Sequence, residues 1–430
     1  MKDMLGRNGA VTPAEALEKV LSSIPQRPAF IEETALDEAF GRVLAEDVHS
    51  PEDLPSFSRS TMDGFAVDSK DTFGASETSP AYLTFSLEIK MAEEPLYRLK
   101  KGECAKVPTG GMLPQGADAV VMFEHCGFEH GNKTLREGQS IIEVFRPVAP
   151  GENVIRRAED AAKGDLILKA GSVLRPQDVA AAAGAGVPSL KVFRRPVVSI
   201  IVTGDEIVPP DAPMRPGCVR DINSYNLAGL AGSMGAVALR EGIFGDDYGT
   251  LEKILADAAS RADMVLITGG SSVGTRDYTA RLISEHGEIL FHGVALKPGK
   301  PLIGGILMDG KNKKNKKPVF GLPGHPAAVG VCFELFVKPA LKRLAGAGDT
   351  SRESFSGVLR ARLSRDVSSQ PGRMQFIRVA LDYKDGELWA EPVLGPSGLI
   401  TTFTRSDGAA VCPAERPGLH KGELVEVRLF

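Results

Sequence analysis

Several short segments of this chain combine carboxylates, hydroxyls, glycines and lysines in a pattern suited to phosphate chemistry. Thr203-Gly204-Asp205-Glu206, Gly245-Asp246-Asp247, Gly269-Gly270-Ser271-Ser272-Val273-Gly274 with Asp277 behind it, and Lys297-Pro298-Gly299-Lys300 each sit where an apolar, strand-like run ends. In open α/β sheets ligands bind outside the carboxyl ends of the strands, so these are the positions that meet a ligand. A Gly/Ser loop ahead of a helix offers N–H and hydroxyl donors to anionic oxygens. Lys297 and Lys300 add point charges, and Glu206 and Asp277 supply the hard oxygen ligands that Mg²⁺ prefers. Taken singly, each segment has an ordinary explanation, since Gly-Asp pairs form turns and Asp277 suits a helix cap. Together they crowd carboxylates, a donor loop and two lysines onto one sheet edge, where such charge is costly without a ligand. The expectation is a site for a phosphate-bearing substrate with a divalent cation. The loop matches neither G-x-x-x-x-G-K-[ST] nor G-x-G-x-x-G, which argues against a P-loop kinase or a dinucleotide-dependent dehydrogenase.

The elements that must position these groups follow from the apolar periodicity. The runs Val197 to Thr203, Met264 to Thr268 and Val319 to Leu322 alternate with helical segments at Asn223 to Met234, Leu251 to Ala262 and Tyr278 to His286, which implies βαβ units and a doubly wound sheet. In the second of these helices Leu251, Ile254, Leu255 and Ala258 share one face, which should cover the sheet. A further helix runs from Pro326 to Leu344. At the other end of the chain Thr12 and Pro13 open a helix carrying Ala16, Leu17, Val20, Leu21 and Ile24, and a short helix leads into Leu36 to Val48. From Ser50 the alternation of Tyr82, Thr84 and Ser86 and many Gly/Pro turns signal a β-rich module to about residue 150. Helical character returns at Pro176 to Gly184, so the first helical region is expected to be built from two separated pieces. Beyond Phe355 the chain reads as short strands, with Asp385-Gly386 as a hairpin turn, in a small β-barrel or sandwich.

With 430 residues the chain exceeds one core, so several domains are expected. Hydrophobic and charged contents of 43% and 25% are those of an ordinary folded protein. A net charge of −4 gives no general attraction to nucleic acid, and the lysine-rich run Lys311 to Lys317 reads as a solvated hairpin loop. The five cysteines, Cys104, Cys126, Cys218, Cys332 and Cys412, are scattered without zinc spacing, as reduced thiols of a cytoplasmic protein would be. Neither a signal-like apolar segment nor a run long enough for a membrane span is present in the sequence.

The segments Thr203-Gly-Asp-Glu206, Thr268-Gly-Gly-Ser-Ser-Val-Gly274 with Asp277-Tyr278, Lys297-Pro-Gly-Lys-Pro301 and Gly321-Leu-Pro-Gly-His-Pro326 closely resemble the molybdopterin-binding domain shared by Mog-type adenylyltransferases and MoeA-type insertases. Three more, Ser60-Thr-Met-Asp-Gly-Phe-Ala-Val67, the run from Pro108 to Val121, and Pro150 to Asp165, resemble only the insertases, the MoeA and gephyrin E-domain family. The resemblance covers nearly the whole chain. It implies a multidomain α/β plus β protein: a discontinuous linking domain (10–49 and 156–192), a β-rich lemon-shaped domain (50–155), a doubly wound MogA-like α/β domain (193–346) and a C-terminal β-barrel (347–430). It further implies a homodimer whose active site is shared, with Asp63, Thr109 and Asp160 reaching across to Glu206, Asp246, Asp277, Lys297 and Lys300. The implied reaction transfers molybdate to the dithiolene of adenylyl-molybdopterin and releases AMP, with Glu206 and Asp277 on Mg²⁺. Gly269, Gly270, Ser271, Ser272, Gly274, Pro298, Gly299, Gly324 and Ser397 would contact the pterin substrate, with Ser271, Ser272, Arg373 and Ser397 near the molybdate oxyanion. Implied partners are a molybdopterin adenylyltransferase and the molybdoenzymes or cofactor carriers that receive the product, without nucleic acid or membrane. The rival readings are an adenylyltransferase acting on molybdopterin and a gephyrin-like binding scaffold. The chain departs from the family pattern at Ala158, usually Gly, at His325, commonly Asn, at Gly293, Lys in some members, and in its longer lysine-rich loop.

Overall fold

The computed structural model describes residues 10–25, 30–128, 141–269, 273–309, 312–348 and 357–430, leaving aside the side chains of residues 128, 273–277, 309 and 312–315. The chain forms two units: residues 47–169 with 176–189, and the remainder, which includes 190–430.

The smaller unit is built on a six-stranded mixed sheet in the order Ala119–Met122, Gly64–Val67, Glu103–Val107, Ala81–Glu88, Ile141–Val144, Cys126–Phe128. Its central strands are apolar on both faces: Phe65 and Val67 pack with Leu83, Cys104 and Val121 on one side, Ala66 with Ala105, Val107 and Val120 on the other. Gly64 opens its strand because the neighbouring strand leaves no room for a side chain: a Cβ there would lie 2.1 Å from the Val121 carbonyl oxygen. That close approach fixes the turn carrying Asp63. Burial raises the thiols of Cys104 and Cys126 to about 12, so both stay protonated. All five cysteines are unpaired.

In the larger unit Thr12 caps the helix Pro13–Ser23 through a reciprocal capping box with Glu15. The helix expected near Leu36 to Val48 is confined to a 3₁₀ turn, Leu36–Glu38. Gly41 follows at φ 73°, and residues 43 and 44 pair as isolated bridges with Val173 and Val192, so tertiary pairing replaces the local helical preference. The main sheet runs Val237–Phe244, Val197–Thr203, Met264–Gly269, Asn312–Leu322, Ile303–Asp309, Gly287–His292. Its first four strands are parallel and the last two antiparallel. Alternate residues divide between two cores: Val198, Ile200, Met264 and Leu266 face the helices Asn223–Ser233 and Pro326–Cys332, while Ile201, Val265 and Ile267 face Tyr248–Arg261 and Val273–His286. The sheet is thus doubly wound, with an antiparallel edge the sequence pattern did not reveal. The described part of the lysine-rich segment is strand rather than loop, since Lys316 and Lys317 pair with Met308 and Leu307. Lys317 also donates from Nζ to the Ala259 carbonyl.

The C-terminal strands Met374–Lys384, Glu387–Pro392, Val358–Leu363, Leu424–Leu429 and Gly408–Cys412 pair in that order, and the last closes onto the first. The result is a barrel, and Asp385 and Gly386 turn its hairpin with φ of 52° and 82° as their sequence predicts.

Ala158 occupies a left-handed conformation at φ 61°, its N–H donating to the Pro55 carbonyl at 3.0 Å. Left-handed backbone costs an L-residue roughly 1–2 kcal/mol, and the entropy glycine adds to the unfolded chain offsets about 0.4–1 kcal/mol of that. Ala158→Gly should therefore raise the urea midpoint of the transition that unfolds the smaller unit, by about 1 kcal/mol or less at unchanged slope. A lowered midpoint would show that Ala158 carries no strain.

Candidate functional site

The switch point of the main sheet lies between Val197–Thr203 and Met264–Gly269, because the connections leaving these strands run to opposite sides. The two strands end in contact. Gly269, at φ 119°, sits where a Cβ would lie 2.0 Å from the Thr203 carbonyl oxygen, so only glycine permits the parallel pairing to continue to this point. Beside it Thr203 Oγ1 donates to Asp246 Oδ1 at 3.0 Å, and the Asp246 N–H donates to Asp205 Oδ1 at 3.2 Å. The acidic strand ends therefore form a braced edge, with Asp246 tied to its neighbouring strand.

Next to this edge, within the same unit, lies a cavity of about 760 Å³ whose wall is completed by the barrel. From the sheet side it is lined by Glu206, Gly269, Pro298, Gly299, Lys300 and Gly324, and from the barrel by Arg373, Gln375, Arg378 and Ser397. Lys297 joins the two sides: Leu296–Lys297 forms a two-residue strand parallel to the start of Met374–Lys384, with Lys297 opposite Gln375. Within the lining, Ser397 Oγ and His325 Nδ1 are hydrogen-bonded at 2.9 Å. Four cationic side chains, Lys297, Lys300, Arg373 and Arg378, thus share the described lining with one carboxylate, Glu206. Among the described residues none of the four forms an ion pair; Arg373 donates to Gln370 Oε1 at 3.0 Å and Arg378 to the Gly395 carbonyl at 2.7 Å. Burial holds the Arg378 guanidinium below its usual basicity. Its Nε is buried without a partner, as are Asn223 Oδ1 and Asn226 Nδ2. Asn223 braces the same edge from beneath, Nδ2 donating to Thr268 Oγ1 at 3.0 Å and the Gly324 carbonyl at 2.8 Å.

Of the residues singled out in the sequence, Glu206, Gly269, Lys297, Pro298, Gly299, Lys300, Gly324, Arg373 and Ser397 line this one cavity. Asp246 stands on the sheet edge outside its lining. Gly274 and Asp277 belong to the first turns of the helix Val273–His286, the Asp277 side chain lying outside the described residues, as do Gly270, Ser271 and Ser272 entirely. Asp63, Thr109 and Asp160 belong to the other unit. There Asp63 Oδ1 accepts from both Thr109 N, at 2.7 Å, and Thr109 Oγ1, at 3.1 Å, so this carboxylate and hydroxyl act as one cluster. Asp160 is exposed, its N–H on the Leu54 carbonyl at 3.0 Å. Arg378 and Asn223 were missed. A charge inside the apolar strand run Phe376-Ile-Arg-Val379 was the available signal for the first; the burial of Asn223 had none.

Family models match the chain in three consecutive stretches: the MoeA N-terminal region (domain I and II) at residues 11–186, a probable molybdopterin binding domain at 199–343, and the MoeA C-terminal region (domain IV) at 360–430. A putative molybdopterin biosynthesis protein of Methanocaldococcus jannaschii is 36% identical over 431 residues, 97% of this chain and 98% of that protein. The chain belongs to the MoeA family. Among other members, the molybdopterin molybdenumtransferase of Bacillus subtilis is 31% identical, covering 99% of this chain and 96% of its own. The crystal structure of a molybdopterin biosynthesis MoeA protein from Pyrococcus horikoshii OT3 superposes with a TM-score of 0.81 at 33% identity, over 98% of this chain and all of that one.

In this MoeA-family chain the cavity is chemically suited to an anion: among the described residues its cations have no carboxylate partner, and they comprise two ammonium groups and two planar guanidinium forks. A charge-assisted hydrogen bond contributes about 1.5–3 kcal/mol, and the openness of the site to solvent favours the lower end. Lys297→Met and Lys300→Met should each weaken inorganic pyrophosphate binding about tenfold, and the wild-type affinity should fall as salt rises. Calorimetric titration checks both; an affinity indifferent to either lysine would place the anion elsewhere.

Proposed function

We propose that this chain is a molybdenum insertase, which transfers molybdate to the dithiolene sulfurs of adenylyl-molybdopterin and releases AMP with the finished cofactor. The observation that carries the reading is the cavity at the switch point of the sheet, where four cations converge without an ion-pair partner among the described residues. Its substrates are polyanions of two kinds, a pyrophosphate-bearing pterin and a tetrahedral oxyanion, and the cavity has basic groups on two walls to receive them.

Lys297 and Lys300 offset charge on the pyrophosphate and stabilise the phosphate that departs with AMP. Gly269 and Gly299 let the backbone approach it closely. Arg373 and Ser397, on the barrel side, orient the molybdate oxyanion through donors rather than acids. Asp246, braced by Thr203, keeps a carboxylate at the sheet edge to position water. Mg²⁺ binds through one or two carboxylates plus substrate phosphates rather than a full protein cage. Glu206, a carboxylate on the cavity wall with no ion pair among the described residues, suits that role with Asp277, although no cluster of three metal-binding side chains occurs among the described residues. When bound, Mg²⁺ would neutralise charge developing on the pyrophosphate.

In this reading the protein works as a cytoplasmic homodimer, and the Asp63–Thr109 cluster and Asp160 serve the cavity of the partner subunit. It receives its pterin from a molybdopterin adenylyltransferase and hands the product to molybdoenzymes or carriers.

Purified protein with Mg²⁺, molybdate and adenylyl-molybdopterin should release AMP only when molybdate is present, and Asp277→Ala should abolish release. ATP-dependent adenylation without insertion would instead identify an adenylyltransferase, and binding without release a scaffold. Asp63→Ala and Asp277→Ala proteins, each inactive alone, should recover about a quarter of wild-type activity when co-expressed equally, since half the dimers are then hybrids with one intact site. No recovery would place both residues in the site of one subunit.

A further inference from the structure

The pair His325 and Ser397 stands at the oxyanion side of the cavity, and its chemistry depends on one proton. A serine hydroxyl has a single hydrogen to donate, and a neutral imidazole has one nitrogen that accepts and one that donates. His325 Nδ1 lies 2.9 Å from Ser397 Oγ. If Nδ1 is unprotonated, it takes the hydroxyl hydrogen, and Ser397 turns only lone pairs toward the cavity, where they repel an oxyanion. If Nδ1 carries a proton, it donates to Ser397 Oγ, and the hydroxyl hydrogen is free to point at the ligand.

We propose that His325 is a positioning residue for the oxyanion: binding of a tetrahedral dianion draws a proton onto the imidazole, which turns the Ser397 hydroxyl into a donor and adds one positive charge to the site. The proposal rests on the oxyanion role of this wall given above. The charged groups lining the same cavity are Glu206 from the sheet edge, Lys297 and Lys300 from the segment entering the barrel, and Arg373 and Arg378 from the barrel. A bound dianion adds negative charge beside the His325–Ser397 pair, and opposite charge nearby favours the protonated ring. A neutral ring protonated at Nδ1 would orient Ser397 equally well but would take up nothing, so proton uptake separates the two.

The sign follows from linkage. A ligand that favours the protonated ring binds more tightly as pH falls, by up to about tenfold per pH unit for one linked proton. His325→Asn keeps an amide group of similar reach beside Ser397 but cannot titrate, and His325→Gln serves if the first variant folds poorly.

The test is calorimetric titration of the full-length protein with sodium molybdate across neutral pH, in pairs of non-phosphate buffers that differ in ionisation heat. In wild type we expect uptake of a substantial fraction of one proton per molybdate and an affinity that falls as pH rises. In the His325 variants we expect uptake near zero and a flat profile. Molybdate binding without proton uptake in wild type, or undiminished uptake in the variants, overturns the proposal and leaves the oxyanion site standing. Absence of molybdate binding to wild type at any pH overturns both.

Discussion

Lys297, Lys300, Arg373 and Arg378 are held around one cavity with a single carboxylate among its described lining. Like charges brought together in a partly desolvated space repel, and burial already lowers the basicity of Arg378. Such an arrangement persists because the surrounding fold is stable enough to impose it, and a bound anion would relieve it. The two apolar cores on either side of the main sheet, and the closed barrel beyond, are what make that imposition affordable.

The same constraint explains why the cavity spans two elements of different architecture. A parallel sheet alone presents its ligand groups in one row, at strand ends. Tying Leu296–Lys297 to the first strand of the barrel brings Lys297 into line with Gln375, so basic groups from a second direction face the row. The backbone pairing does the positioning, and long, flexible lysine and arginine side chains need little more. Rigidity sits in the parts that cannot bend: Gly269 against the Thr203 carbonyl, Asn223 against Thr268 and Gly324, and the Thr203–Asp246 bond. Asp63 and Thr109 show the same economy elsewhere, since one strand start without room for a side chain, at Gly64, fixes where the carboxylate must leave the sheet.

Departures from the family pattern acquire distinct physical meanings. Ala158 adopts the left-handed backbone that glycine ordinarily provides, so it bears on stability. His325 replaces an uncharged amide with an imidazole ring hydrogen-bonded to Ser397, so it bears on the cavity lining. Gly293, at φ 92°, occupies a backbone conformation unfavourable to the lysine some members carry there.

By itself the sequence determined the strands and helices of the α/β region, because their apolar periods are strong: Val197–Thr203, Met264–Gly269 and Tyr248–Arg261 appear close to where periodicity predicts them. It also pointed to the sheet-side cavity residues Glu206, Gly269, Lys297 and Lys300, since residues at strand ends follow once the strands are known, and to the Asp385-Gly386 turn, whose geometry is local. The tertiary structure decided what depends on partners distant in the chain. Residues 43 and 44 took bridges in place of helix, and the lysine-rich segment joined an antiparallel edge, because pairing outweighs weak local preference. Closure of the barrel needed Met374–Lys384 to meet Gly408–Cys412. Arg378 and Asn223 became recognisable only when burial deprived their polar atoms of partners, a property that spacing along a chain does not encode.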